Sequence, residues 1–172
     1  SEARLGAAHA LLHDAIEGAP AGIAVFDADD RLRAYNSRLL KMTSGDPALV
    51  QLGMDFRSFV RAVRGDRVAH PVHDPDERWL EERYRQHLAP GAPLEVRLRD
   101  GGWLQISETR TRHGGTVIVY TDISALKQRE GELRRSADEL EALVAARTEA
   151  LTRSEARLRQ VNQELETFTY SV

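Results

Sequence analysis

Cysteine is absent from the 172-residue sequence. That excludes a disulfide framework, a thiolate nucleophile and any zinc site built on thiolates, and it fits a cytoplasmic setting. Aromatic residues make up only 6% of the chain, so the core they help to fill is modest. No apolar run approaches the roughly 20 residues needed to cross a bilayer, and the residues after Ser1 do not read as a signal peptide. Neither sign of charge dominates: 24 Lys and Arg stand against 27 Asp and Glu. That balance gives no footing for nucleic acid or an anionic membrane as a partner. G-x-S-x-G, P-loop and G-x-G-x-x-G motifs are missing as well, so the chain is not expected to be an enzyme by itself.

What is present falls into three segments. Residues 1–19 read as an N-terminal flanking helix, with Leu5, Leu12 and Ile16 at helical spacing and Gly18 and Pro20 as stop signals. Two roles stay open for it: covering apolar surface, or continuing an upstream signalling helix.

Residues 20–123 read as one α+β domain. GIAVFD (22–27) is a short apolar strand and the acidic stretch 27–30 a tight turn. RLRAYN is the return strand of a hairpin, alternating Leu32, Ala34 and Tyr35 against arginines. Asn36 stands where a helix N-cap belongs, just before SRLLKM. Residues 44–75 read as short helices and loops around Phe56, Phe59 and Val60. DERWLEERYRQHL (76–88) is a stronger helix, with Trp79, Leu80, Tyr84 and Leu88 on one face. Then come PLEVRLRD, where Leu94, Val96 and Leu98 alternate with Glu95, Arg97 and Arg99, a turn at Gly101-Gly102, the strand WLQISETRTR, a turn at residues 113–115, and TVIVYTDI. The expected architecture is a five-stranded antiparallel sheet with short helices on one face, flanked by an N-terminal helix and a long C-terminal helix.

Residues 124–172 differ in kind: they hold no proline and one glycine. Their apolar residues follow a heptad with Ile123, Glu130, Ala137, Val144, Leu151, Leu158, Leu165 and Val172 at a. The d positions are then Leu126, Leu133, Leu140, Arg147, Ser154, Val161 and Phe168. A helix of this length runs about 74 Å, too long to pack along one small domain. The 3.5-residue period predicts a left-handed, parallel coiled coil of two copies of the chain. Glu130, Arg147 and Ser154 interrupt the seam, each forgoing the ~1.5–3 kcal/mol of a buried leucine, and Gly131 costs about 1 kcal/mol of helix propensity. Arg129 at g would meet Arg134 at e of the partner helix. Such a seam dimerises but holds its register weakly.

GIAVFDADDRLRAYN, the DGGWLQISETRTRHGGTVIVYTDIS run and its closing Asp122-Ile123-Ser124 resemble a PAS domain over residues 20–124. That triplet is similar to the Asp-Ile-Thr type ending through which a PAS domain enters its output helix. RTEALTRSEARLRQVNQELETFTYSV is similar to the linker of bacterial sensor histidine kinases that leads to the phosphoacceptor helix, whose Ser-His-Asp-Leu-Arg type motif lies beyond Val172. The resemblance implies a sensory and dimerisation module feeding kinase domains further along the same chain. The rival readings are a ligand-free dimerisation spacer and the sensor input of a nucleotide cyclase.

The resemblance also implies candidates for chemistry. PAS domains hold haem, flavin, small acids or nothing. A flavin adduct needs the cysteine this chain lacks, and the position expected for a haem ligand falls on Glu77, with His73 and His87 nearby. No cofactor and no metal are therefore expected. Trp79, Tyr84 and Trp103 either line a ligand cavity between helix and sheet or are ordinary core. His70 and His73 have chelate spacing but no further ligands. Arg97, Arg99, Arg110 and Arg112 form an anion clamp or a solvated face paired with Glu95, Glu108 or Asp122. Asp122, Ile123 and Ser124 are the expected signal junction.

Overall fold

The structure, a computed structural model, describes residues 1–43, 45–64, 67 and 78–171. Its elements in chain order are α1 (Glu2–Glu17), β1 (Gly22–Phe26), β2 (Leu32–Tyr35), α2 (Ser37–Thr43), α3 (Phe56–Arg64), α4 (Arg78–Leu88), β3 (Leu94–Arg97), β4 (Trp103–Arg110), β5 (Thr116–Asp122) and α5 (Ser124–Ser171). The strands form one antiparallel sheet in the order β2-β1-β5-β4-β3, matching the expected α+β architecture. The chain divides into two compact units, Ser1–Ala125 and Leu126–Val172. Among the described residues, no helix is long and apolar enough to cross a membrane.

Within the first unit, each turn follows from its residues. Asp27 accepts from the amides of Asp29 (3.0 Å) and Arg31 (2.9 Å), which folds the acidic stretch into the β1–β2 turn. Asp30 completes that turn at φ 61°, a conformation Asp tolerates better than most residues. Gly101 and Gly114 supply positive φ (87° and 84°) in the β3–β4 and β4–β5 connections. Gly22 has a different reason to be glycine: a Cβ there would come within 2.8 Å of the Leu39 backbone, so its absence lets α2 lie on β1.

The sheet buries Ala24, Phe26, Ile118 and Tyr120 against the helices. From α3 come Phe56, Phe59, Val60 and Val63, the i, i+3, i+4, i+7 pattern of a core-facing helix. Phe26 meets both Phe56 and Phe59 edge-on, with centroids 5.6 and 5.1 Å apart, a favoured aromatic arrangement. α4 departs from expectation. Its buried face is Leu80, Arg83 and His87, while Leu88 stays 56% exposed. Two ionisable side chains face inward where the hydropathy pattern placed Tyr84 and Leu88.

Asn36 is the N-cap of α2, as its position predicts: its side-chain oxygen accepts from the Leu39 amide at 3.1 Å. It does more than cap. The same oxygen accepts from the Ile23 amide (2.9 Å), and its Nδ2 donates to the carbonyls of Ile16 and Ala21, both at 2.8 Å. One fully buried amide thus ties the end of α1, the start of β1 and the head of α2 together. Glu17 adds a second tie, accepting from the Ser37 amide and hydroxyl. α1 buries none of its residues, so it is held by its C-terminal end and does not cover the domain's apolar surface.

Replacing Asn36 with Ala removes the cap and strands the buried amides and carbonyls it serves. We expect a loss of about 3–5 kcal/mol, read from urea unfolding at pH 7. Asn36→Asp keeps both acceptor bonds but turns a carboxylate toward the carbonyls of Ile16 and Ala21, and should also destabilise.

Candidate functional site

The core side of α4 carries a buried charge cluster. His87 is fully inaccessible, and both its ring nitrogens face carboxylates: Nδ1 lies 2.6 Å from Glu108 on β4, and Nε2 lies 2.7 Å from Asp30 at the β1–β2 turn. The Phe56 ring stacks on the imidazole, with centroids 3.6 Å apart and planes 8° from parallel. The other carboxylate oxygen of Glu108 pairs with the Arg83 guanidinium, and the two side chains are 7% and 10% exposed. The Arg83 charge also acts on the Tyr120 hydroxyl. Arg110 completes the surround, donating to Thr116 Oγ1 and to the His87 carbonyl, both at 2.9 Å.

The electrostatics follow from this packing. Burial pushes the Glu108 carboxyl up. The hydrogen bond from His87 and the charges of Arg83 and His87 outweigh that and hold it below its ordinary value. Burial raises the Tyr120 phenol, with Arg83 acting in the opposite direction. Glu108 is therefore a buried carboxylate kept ionised by its partners, the circumstance in which buried charge is tolerated.

Arg83 also forms part of the wall of a cavity of ≈ 300 Å³. α3 contributes Val60 and Val63, α4 contributes Trp79, and the sheet contributes Val96, Ile106 and Tyr120, so the walls are mostly apolar. Of the three expected aromatic lining residues, only Trp79 borders this space. It lies beneath the Arg64 guanidinium, 3.8 Å from the ring centroid. Tyr84 stands at the edge of the Phe26–Phe56–His87 stack under Arg57, 4.2 Å away. Trp103 starts β4 and belongs to the junction described next.

At the exit from the sheet, Ser124 opens α5. Its hydroxyl accepts from the Trp103 amide at 2.9 Å, and the Ile123 amide donates to the Trp103 carbonyl at 3.0 Å. The Asp122 carboxylate accepts from the Ser124 amide at 2.9 Å, which caps the helix. The hydrogen bonds from Ser124 hold Asp122 below the usual carboxylate range, with burial opposing and the charge of Arg67 assisting. The expected strand-arginine partner of Asp122 is thus replaced by Ser124 and Arg67. Arg67 itself pairs with Asp100 at 2.8 Å. Ile123 is buried in the first unit (6% exposed), so the a-position series of the heptad cannot start there, and the exposed stripe begins at Leu126. Asp122 and Glu17 line the same polar crevice of ≈ 350 Å³, so the end of α1 and the end of β5 border one space.

In the second unit α5 buries no residue. Leu126, Leu133, Leu140, Val144, Leu151, Leu158, Val161, Leu165 and Phe168 are 44–72% exposed, and Ala137 and Arg147 are exposed with them. His70, His73, Glu77 and Val172 lie outside the described residues. His87, the remaining candidate haem ligand, has both ring nitrogens engaged by carboxylates, so it does not fit axial ligation.

Sequence reading missed Arg83, His87, Glu108 and Asp30 as a group. The available signal was the i, i+4 spacing of Arg83 and His87 in phase with Leu80. A matching acid in the middle of β4 completed it.

A family model for the PAS fold matches residues 16–131, and the chain belongs to that family. It is 31% identical over 168 residues to the Non-motile and phage-resistance protein of Caulobacter vibrioides, covering 97% of this chain and 18% of that protein's length. The RNA-binding light-oxygen-voltage receptor aligns with 76% of this chain and 37% of its own at 23% identity and a TM-score of 0.46. A domain of the sensory box sensor histidine kinase/response regulator from Geobacter sulfurreducens aligns at 19% identity and a TM-score of 0.39, covering 69% and 94%.

Glu108 gives a prediction with a definite sign. A carboxyl lowered in the folded state contributes stability above its unfolded value of about 4.3. That contribution disappears as pH falls through the folded value. Glu108→Gln should flatten the acid limb of stability measured by urea unfolding between pH 7 and pH 3, relative to the unaltered chain.

Proposed function

We propose that this chain is the sensory and dimerisation module of a two-component histidine kinase, in which changes in the PAS core pass through a parallel coiled coil of two α5 helices to a kinase region downstream. The observation that carries this reading is the exposed apolar stripe of α5, sustained in one heptad phase from Leu126 to Phe168. Nearly every large residue on it would contribute ~1.5–3 kcal/mol if buried against a second helix. A stripe of this length on a single exposed helix is a partner surface. The likeness of the segment after Arg147 to kinase linkers supports the rest. So does the relative from Caulobacter vibrioides, in which the matching stretch is 18% of a longer protein.

The relay begins where the helix leaves the sheet. β5 ends in Asp122, whose carboxylate caps α5 at the Ser124 amide, while the Ser124 hydroxyl accepts from Trp103 of β4, so a shift of β5 or β4 is felt at the first turn of α5. Polar seam positions then let neighbouring packings of the two helices compete, because a coupling of about 1–3 kcal/mol is all a regulatory change requires.

Two measurements test the proposal. Sedimentation at tens of micromolar should find a dimer, and Arg147→Leu should tighten it by at least tenfold, since two leucines are added per dimer. A strict monomer overturns the reading. In the full-length protein Asp122→Asn should change autophosphorylation; unchanged output would leave a passive spacer.

A further inference from the structure

α1 carries two histidines that the packing of the domain does not use. His9 and His13 stand four residues apart in one continuous helix, and both are exposed. Side chains at that spacing lie one above the other on a single face, with Cβ atoms about 5–6 Å apart. Two imidazoles so placed can reach one metal ion at about 2.0–2.1 Å, and a histidine pair at i, i+4 is the chelating core of helical zinc sites. Among the described residues, no hydrogen bond or ion pair engages either ring, whereas both nitrogens of buried His87 are taken by carboxylates.

Charge and space around the pair favour a cation. The chain holds no lysine or arginine from Leu5 to Asp30, and the charged residues next to the pair in sequence are Asp14 and Glu17. Glu17 lies one turn beyond His13 on the same flank. Its hydrogen bonds from Ser37 do most to hold its carboxyl below the ordinary value, and the charges of His13 and of Lys41 from α2 add to them. On the other side of the pair, Gly6 stands three residues before His9. Nothing lies within 4 Å of where its Cβ would be, which leaves room for coordinated water. Among the described residues, no group of three or more His, Asp or Glu is gathered as a metal site, so the arrangement is a two-ligand chelate completed by water. Imidazole nitrogen suits zinc and its neighbours rather than magnesium or calcium, which take oxygen.

We propose that His9 and His13 form a chelating site on α1 for a divalent transition-metal ion of the zinc type. Both rings reach the ion only while the turn between them is helical, so binding favours the helix by linkage. α1 is a helix on which such a hold has an effect. It buries none of its 16 residues and starts at Ser1 without a side-chain cap, and a free helix of that length is marginal in water. Its fastened end is the one tied through Asn36 and Glu17. A metal at His9 and His13 carries order outward from that end. The site goes beyond the sensory reading and does not rest on it.

The test uses the 172-residue chain with His70→Gln and His73→Gln, which removes the other histidine pair of the sequence. Zn²⁺ is titrated by calorimetry, with Mg²⁺ as the control. One Zn²⁺ per chain should bind and Mg²⁺ should not. His9→Gln and His13→Gln should each weaken Zn²⁺ at least tenfold, while His113→Gln, in the β4–β5 turn, should leave it unchanged. The second readout is hydrogen exchange at the His13 amide, which closes the helical turn onto the His9 carbonyl. Saturating Zn²⁺ should slow it at least tenfold, and should not do so in either single variant. These substitutions alter exposed side chains, so the fold is retained in each. No Zn²⁺ binding, binding that survives His9→Gln or His13→Gln, or exchange at His13 that Zn²⁺ leaves unmoved overturns the inference.

Discussion

A buried charge must be compensated inside the protein, and the first unit is organised around one such compensation. Arg83, Glu108, His87 and Asp30 come from α4, β4 and the β1–β2 turn. Removing Arg83 or Glu108 leaves the other, 10% or 7% exposed, without its ion-pair partner, at a cost of several kcal/mol. α4 can therefore sit on the sheet in one rotation only, with Arg83 and His87 inward. That rotation places Trp79 beside the cavity and Tyr84 at the rim of the aromatic stack. It also explains the left-handed backbone at Asp30, where the turn is held so that its carboxylate reaches His87.

A second constraint joins the two ends of the unit. β1 lies between β2 and β5, with Gly22 opposite Tyr120 and Phe26 opposite Thr116. Asn36 and Glu17 fasten the end of α1 to the start of β1 and to α2. On the neighbouring strand, β5 runs out through Asp122 into α5. The entry and exit of the domain are therefore coupled by one strand pairing rather than by a path through the core. Tyr120, opposite Gly22 in that pairing, feels the charge of Arg83. The charge cluster and the β1–β5 pairing meet at this residue.

The sequence makes the strands legible because their two-residue alternation and turn glycines act locally. Leu94, Val96 and Leu98 face in, and Gly101 and Gly114 take the positive φ their turns require. The Asn36 cap is legible for the same reason, although its bonds to Ile16, Ala21 and Ile23 are not, since they depend on chain segments brought together by folding. The face of α4 misled because hydropathy assigns arginine and histidine to solvent unless their partners are known. Those partners lie 21 to 57 residues away in the chain. Ile123 misled in the opposite way. A heptad counts spacing alone, and the globular unit had already claimed that side chain. Trp103 likewise reads from its type as cavity lining or core, while its backbone serves the junction.

α5 poses a different problem from the domain before it. Its residues satisfy their own backbone hydrogen bonds, and pairs such as Gln128–Glu132 and Arg153–Glu149 decorate the surface; exposed pairs of this kind contribute only about 0.3–0.5 kcal/mol each. They do not offset an apolar stripe left in water, so in the proposed dimer the drive to associate lies in Leu133, Leu140, Leu151, Leu158 and their neighbours. The polar seam positions then gain a meaning they lack on an isolated helix. Arg147 at d and Glu130 at a are neutral in cost while exposed and become penalties only when two helices close over them. A helix whose defects are felt solely on association has several nearly equal ways to associate. In the proposed dimer, small displacements at the start of α5 would select among them without breaking it.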